Sequence, residues 1–255
     1  MKPPRPTQMA SRPRPPPAER PRLSLAQALA RLQAQARPEA LAGMARFGMA
    51  TAGRLGLSVP ALRQLGREIG RDHALAQQLA ATGVPDAQIL AAYLAEPAAF
   101  TVAEMDTWVA HLGAWDSCDQ ACTNAFAPSP RAWGRVPVWA ARSAEFERRA
   151  GFALLAALAV HDRAAEDARF IEALAWVEAA ADDERNFVKK AVNWALRQVG
   201  KRNAVLRVAA IACALRLRQR PGRAARWIAN DALRELQRRG PALPAPSSGE
   251  SPLKS

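Results

Sequence analysis

Between residues 23 and 240 hardly any stretch alternates apolar and polar side chains with period two, whereas signals that start and stop helices recur throughout. Strands that bury one face need that alternation, so its absence excludes most β architectures and leaves an all-helical chain. Ser58-Val59-Pro60 offers a cap and an early proline, Pro85-Asp86 opens a second segment, and Thr101 with Glu104 has capping-box spacing. Ser143 precedes another helical pattern, and Asp182-Asp183-Glu184 would put negative charge where a helix dipole favours it. These signals predict helices over 24–36, 40–48, 60–71, 73–82, 86–96, 101–112, 115–126, 131–140, 143–160, 167–180, 183–200, 204–218 and 222–239. Short helices on short loops pack as a globule or stack in pairs as an α-solenoid. The pairs recur at 30 to 45 residues, close to HEAT-type spacing, but without self-similarity that would settle the topology.

Charge bounds the partner. The 255 residues carry 36 Lys and Arg against 23 Asp and Glu, a net charge of +13. Six of the bases and eight of the 20 prolines lie in residues 1–22, and four more prolines lie in 241–255. Both segments are expected to be disordered tails, because such composition gives a chain little to bury. The middle still holds 29 bases against 21 acids, so a basic domain over 23–240 points to a polyanion, most simply nucleic acid. No apolar run is long enough to span a bilayer, and the N-terminus has no apolar signal core, so no membrane role and a cytoplasmic location are expected. Three cysteines, Cys118, Cys122 and Cys213, suit a reducing compartment. Cys118 and Cys122 lack a second ligand pair and the histidines are scattered, so no metal is expected. P-loop, dinucleotide and nucleophile-elbow motifs are absent, and no cofactor is expected.

Three segments carry candidate chemistry. At 100° per residue, Trp115, Asp119, Cys122 and Phe126 share one helical face, which sets a carboxylate on an apolar stripe. Such a group is either bonded to a backbone or an arginine, or used in catalysis. Asp116 lies off the stripe and reads as structural. Along 183–200, Val188, Val192, Ala195 and Val199 form the core stripe, while Phe187, Lys190, Trp194, Arg197 and Lys201 gather on another sector. A tryptophan among cations suits a phosphate-and-base surface, or equally a helix contact ringed by solvated lysines. On 143–160, Arg149 lies near the stripe of Phe146, Ala150, Ala153 and Ala157, and Arg148 points away. Arg149 could hold its guanidinium over a groove or pair with Asp119 or Asp116. Arginines crowd the last helices. The remaining tryptophans (108, 133, 139, 176 and 227) are expected in the core or at helix interfaces.

Trp115-Asp116-Ser117-Cys118-Asp119-Gln120, Arg148-Arg149-Ala150-Gly151-Phe152 and Asn186-Phe187-Val188-Lys189-Lys190-Ala191-Val192-Asn193-Trp194-Ala195-Leu196-Arg197 resemble the DNA alkylation repair family, the AlkD-like HEAT-repeat DNA glycosylases. Ser58–Arg63 and Arg226-Trp227-Ile228-Ala229 are weaker echoes in the same order. The resemblance implies a right-handed α-solenoid with a basic concave face for duplex DNA. It also implies hydrolytic release of cationic alkylated purines, 3-methyladenine and 7-methylguanine, in base excision repair. It assigns the catalytic aspartate to Asp119, the aromatic walls to Trp115 and Trp194, and the DNA-contacting arginine to Arg149, or to Arg148 by a one-residue slip. Lys190, Arg197 and Lys201 join the expected DNA contacts, on double-stranded DNA bound by a monomer. The arginine-rich N-terminal segment and the Cys-Asp-Gln context depart from the family pattern. The alternative is a non-catalytic solenoid that binds nucleic acid or a protein.

Overall fold

The computed structural model describes residues 22–238; the expectations for the two tails lie, apart from Arg22, outside them. The described residues hold α-helices and short turns, with no strand. The helices are α1 (Leu25–Ala34), α2 (Leu41–Arg46), α3 (Val59–Ile69), α4 (His73–Ala80), α5 (Pro85–Leu94), α6 (Val102–Ala110), α7 (Trp115–Ala121), α8 (Ala132–Ala140), α9 (Glu145–His161), α10 (Asp167–Ala180), α11 (Asn186–Lys201), α12 (Ala204–Arg218) and α13 (Arg223–Arg238). From α3 onward they stack in two layers. Helices α3, α5, α7, α9, α11 and α13 touch in succession, and α4, α8, α10 and α12 back them as antiparallel partners. This is a solenoid of HEAT-like pairs.

Local chemistry explains the boundaries. Ser58 accepts the Ala61 N–H at 3.3 Å, and the Thr101–Glu104 capping box closes in both directions. Each cap satisfies an amide that the first helical turn leaves open, typically worth about 1 kcal/mol. Ser143 does not cap α9, whose N-cap is Ala144 without a side-chain bond. The acidic trio also departs from expectation. Asp183 precedes α11 and binds Arg185 and Arg148; the hydrogen bonds from Arg185, and then the two arginine charges, hold its carboxyl below the usual range. Glu184 accepts the Ala224 N–H at the start of α13. These acids fasten neighbouring helix pairs rather than offset one dipole.

The core runs between the layers. Phe126 sits 5.6 Å from Trp108 and 5.3 Å from Trp139, ring centre to ring centre, with all three buried. Burying such a side chain is worth about 1.5–3 kcal/mol. Helix α9 is buried on every side from Arg149 to Ala159, so its residues reach both layers. Close approach to α8 is possible because position 151 is glycine: a Cβ there would lie 2.5 Å from the Ala140 nitrogen.

One expected helix is not regular. The pattern over 115–126 is α-helical only to Ala121, and Cys122–Phe126 forms a π-helical turn. The wider turn breaks the 100° projection. Cys122 and Phe126 turn fully into the core, while Trp115 and Asp119 keep partial exposure.

Candidate functional site

Asp119 lies at the end of a cavity of about 540 Å³. The wall is assembled from four pieces of chain. Helix α7 supplies Trp115 and Asp119, α9 supplies Arg149, and α11 supplies Asn186, Phe187, Lys190 and Trp194. The end of α2 and the turn after it supply Arg46, Phe47 and Gly48. Phe187, Lys190 and Trp194 of the α11 sector expected from its spacing therefore share the cavity with the α7 aspartate.

Arg149 organises the floor. Its Nη2 donates to both carboxylate oxygens of Asp119 at 2.8 Å, and its Nε donates to Oδ1 at 3.1 Å. Its Nη1 donates to the Phe187 carbonyl at 2.7 Å. One side chain on α9 thus holds α7 and α11 together. The Arg149 side chain is 6% exposed and that of Asp119 is 18% exposed. Burial pushes the Asp119 carboxyl up to about 6, despite the opposing pull of the Arg149 charge. The result is a carboxylate fixed in direction, accessible on one side, and titrating close to neutrality.

Of the two arrangements left open for Arg149, the ion pair with Asp119 is formed. Its Nε and Nη2 face the carboxylate and its Nη1 the Phe187 carbonyl, while the side chain still lines the cavity. Arg148 is excluded from the cavity: its Nε donates to the Ala140 carbonyl at 3.0 Å and its Nη1 to Asp183 at 3.1 Å. Arg197 and Lys201 are also engaged within the protein. Arg197 pairs with Glu235 at 2.8 Å and Lys201 with the same carboxylate at 3.0 Å, so α13 already balances them. Neither lines the cavity, and Lys201 borders a separate pocket with Arg202 and Arg163. Lys190 is exposed at the cavity wall and forms no ion pair among the described residues.

Two contributors carried no signal in the sequence pattern. Phe47 is 76% exposed at the cavity wall, on a turn that Gly48 completes at a φ of +73°. Only its apolar size beside a glycine marks it. Arg54 forms a twin bond to Asp116, both N–O distances being 2.7 Å, with side chains 1% and 7% exposed. Asp86, fully buried, accepts the Leu55 and Leu57 amides at 2.9 Å each. These two acids pin the segment that carries Phe47 against α5 and α7. No group of His, Cys, Asp and Glu among the described residues could hold a metal ion.

The sequence model of the DNA alkylation repair enzymes matches residues 28–236, most of the chain and all of the cavity. The chain belongs to the DNA alkylation repair family. No protein of curated function is matched by its sequence. Among solved structures, the chain is similar to a protein described as one of "a new family of proteins related to the HEAT-like repeat DNA glycosylases with affinity for branched DNA structures". The two share 19% identity at a TM-score of 0.68, over 84% of this chain and 95% of that one, which is a likeness of fold. In this DNA alkylation repair family member, Trp115, Asp119, Arg149 and Trp194 line one cavity. No helix of the described residues is long and apolar enough to cross a membrane.

Proposed function

We propose that the protein is a DNA glycosylase that hydrolyses the N-glycosidic bond of cationic alkylated purines, 3-methyladenine and 7-methylguanine, in duplex DNA. The observation that carries this reading is Asp119, oriented by Arg149 in a cavity that Trp115 and Trp194 also line.

The substrate class follows from what the cavity offers. An alkylated purine bears a positive charge, so it can leave without a general acid. As the bond between C1′ and the purine nitrogen breaks, the electron pair goes to the base, which departs neutral. The sugar becomes oxocarbenium-like. A carboxylate beside C1′ stabilises that charge and orients the attacking water. The water oxygen then bonds to C1′, and its proton passes to Asp119 or to solvent. Indole faces attract the cationic base before it leaves. Lys190, unpaired at the wall, suits a phosphate. Arg149 holds Asp119 in direction, and the residual exposure of the aspartate admits water.

The test is release of 3-methyladenine and 7-methylguanine from alkylated duplex DNA, followed by chromatography. Wild type should release base, and Asp119→Asn should lose about 10²–10³ in rate, the usual worth of one well-placed electrostatic contact. Affinity for undamaged duplex should stay equal or rise, because a negative charge near phosphates is removed. Undiminished release by the variant overturns the catalytic assignment. Duplex binding without release by wild type favours a non-catalytic solenoid.

A further inference from the structure

Helix α13 presents a second aromatic feature that the Asp119 cavity does not use. Its core positions are filled by Ala224, Ala225, Ile228, Ala229, Ala232, Leu233 and Leu236, all buried. Trp227 stands outside that set and is 40% exposed, so of the two places expected for it the core is not the one it takes. Arg223, Asn230 and Arg234 share its exposed face at helical spacing. From α11, the Lys189 ammonium lies 5.4 Å from the centre of the Trp227 ring.

The charges around this indole are lopsided. Lys189 and Arg223 have no ion pair among the described residues, and Arg226 is bonded only to the Pro221 carbonyl. The acids on this side are already held: Asp231 by Asn193 and Arg234, Glu235 by Arg197 and Lys201, and Glu184, at the start of α13, by the Ala224 amide. An exposed indole with uncompensated cations on both flanks suits a polyanion that also carries flat apolar faces. Duplex DNA hides those faces in its own stack, so it could meet the cations but not the ring. An unpaired strand offers both.

The track is continuous with the first site. Lys189 and Lys190 are neighbours on α11, and turned 100° apart they face Trp227 and the Asp119 cavity respectively. We infer that Trp227, with Lys189 and Arg223, forms a stacking platform for a single-stranded DNA segment that extends from the duplex held at the cavity. This inference rests on the DNA-binding part of the proposed function, not on the catalytic step.

The test is fluorescence anisotropy on the full chain with three labelled probes: a blunt duplex, the same duplex with a single-stranded extension of about ten nucleotides, and that single strand alone. Wild type should prefer the extended duplex to the blunt one. Trp227→Ala should weaken binding to the extended duplex and the single strand by about 5- to 150-fold, the range for losing one stacked base. Blunt-duplex affinity should stay within about twofold. If Trp227→Ala lowers the melting temperature, Trp227→Phe against Trp227→Leu decides, since the two bury similar apolar area and only Phe can stack. An equal loss on all three probes, no loss on the extended duplex, or Phe no better than Leu overturns the platform while blunt-duplex binding stands. Failure of wild type to bind any probe overturns both readings.

Discussion

The raised pKa of Asp119 makes a quantitative demand on stability. Its folded value of about 6 stands above an ordinary 3.8, so between those pH values the folded protein keeps a proton that the unfolded chain has released. The sign is therefore the reverse of an ordinary salt-bridged carboxylate: stability falls as pH rises through this window. At 1.36 kcal/mol per unit of pKa, the part of the separation crossed between about pH 4.5 and 7.5 is worth about 2 kcal/mol. Asp119→Asn cannot ionise and lacks this slope. Urea unfolding of both proteins at the two pH values, followed by tryptophan fluorescence, should show wild type losing about 2 kcal/mol relative to the variant on going to the higher pH. The constant penalty of leaving Arg149 beside a neutral partner cancels in that comparison, as does titration elsewhere. Base release should follow the ionised form. It should fall about tenfold by about pH 5 with a limiting slope of one. A stability difference that is flat in pH would show that Asp119 ionises as in water and that its burial has no energetic consequence.

Arg149→Met removes the charge that opposes burial, so the acid limb of base release should move to higher pH by roughly 1–3 pH units; an unmoved limb refutes the positioning role. Asp116→Ala leaves the Arg54 guanidinium buried without its partner and should cost about 3–5 kcal/mol in urea unfolding, while Arg54→Met with Asp116→Leu should recover most of that loss. Duplex affinity should fall steeply with salt, and Lys190→Gln should reduce the log–log slope by about 0.9, whereas Lys201→Gln, already balanced by Glu235, should barely change it. Gly151→Ala must push α8 from α9 and should destabilise by about 1–3 kcal/mol, read as a lower melting temperature.

The helices were legible because their ends are written in local chemistry. A serine three residues before an amide it can bond, or a threonine paired with a glutamate, acts without knowledge of the rest of the fold. The same locality explains the errors. The π turn at Cys122–Phe126 answers to packing against α9, which a fixed 100° step cannot represent. Arg54 meets Asp116 across 62 positions of chain, a pairing that spacing does not encode. Helical spacing grouped Arg197 and Lys201 with Lys190 and Trp194 but was silent about Glu235, which meets them only once α13 docks. Asp119 was legible because a carboxylate on an apolar stripe demands a reason; the angular offset that favoured Arg149 over Arg148 also survives in the structure. Phe47 was not legible, because a lone aromatic at the end of a two-turn helix has no periodicity to break.

The three-way grip of Arg149 has a consequence for how the chain could be shortened, fused or assembled. Stacked-repeat proteins are nearly one-dimensional, and each unit gains most of its stability from the unit before and the unit after. A chain cut after α10 would still contain the aspartate and its arginine, but it would lack the Phe187 carbonyl, Lys190 and Trp194. The cavity is therefore completed at a threshold of assembled length, when α11 docks against α9, and not in proportion to the length folded. Helices added beyond α13 leave that threshold untouched, whereas an insertion between α9 and α11 severs the connection on which it depends.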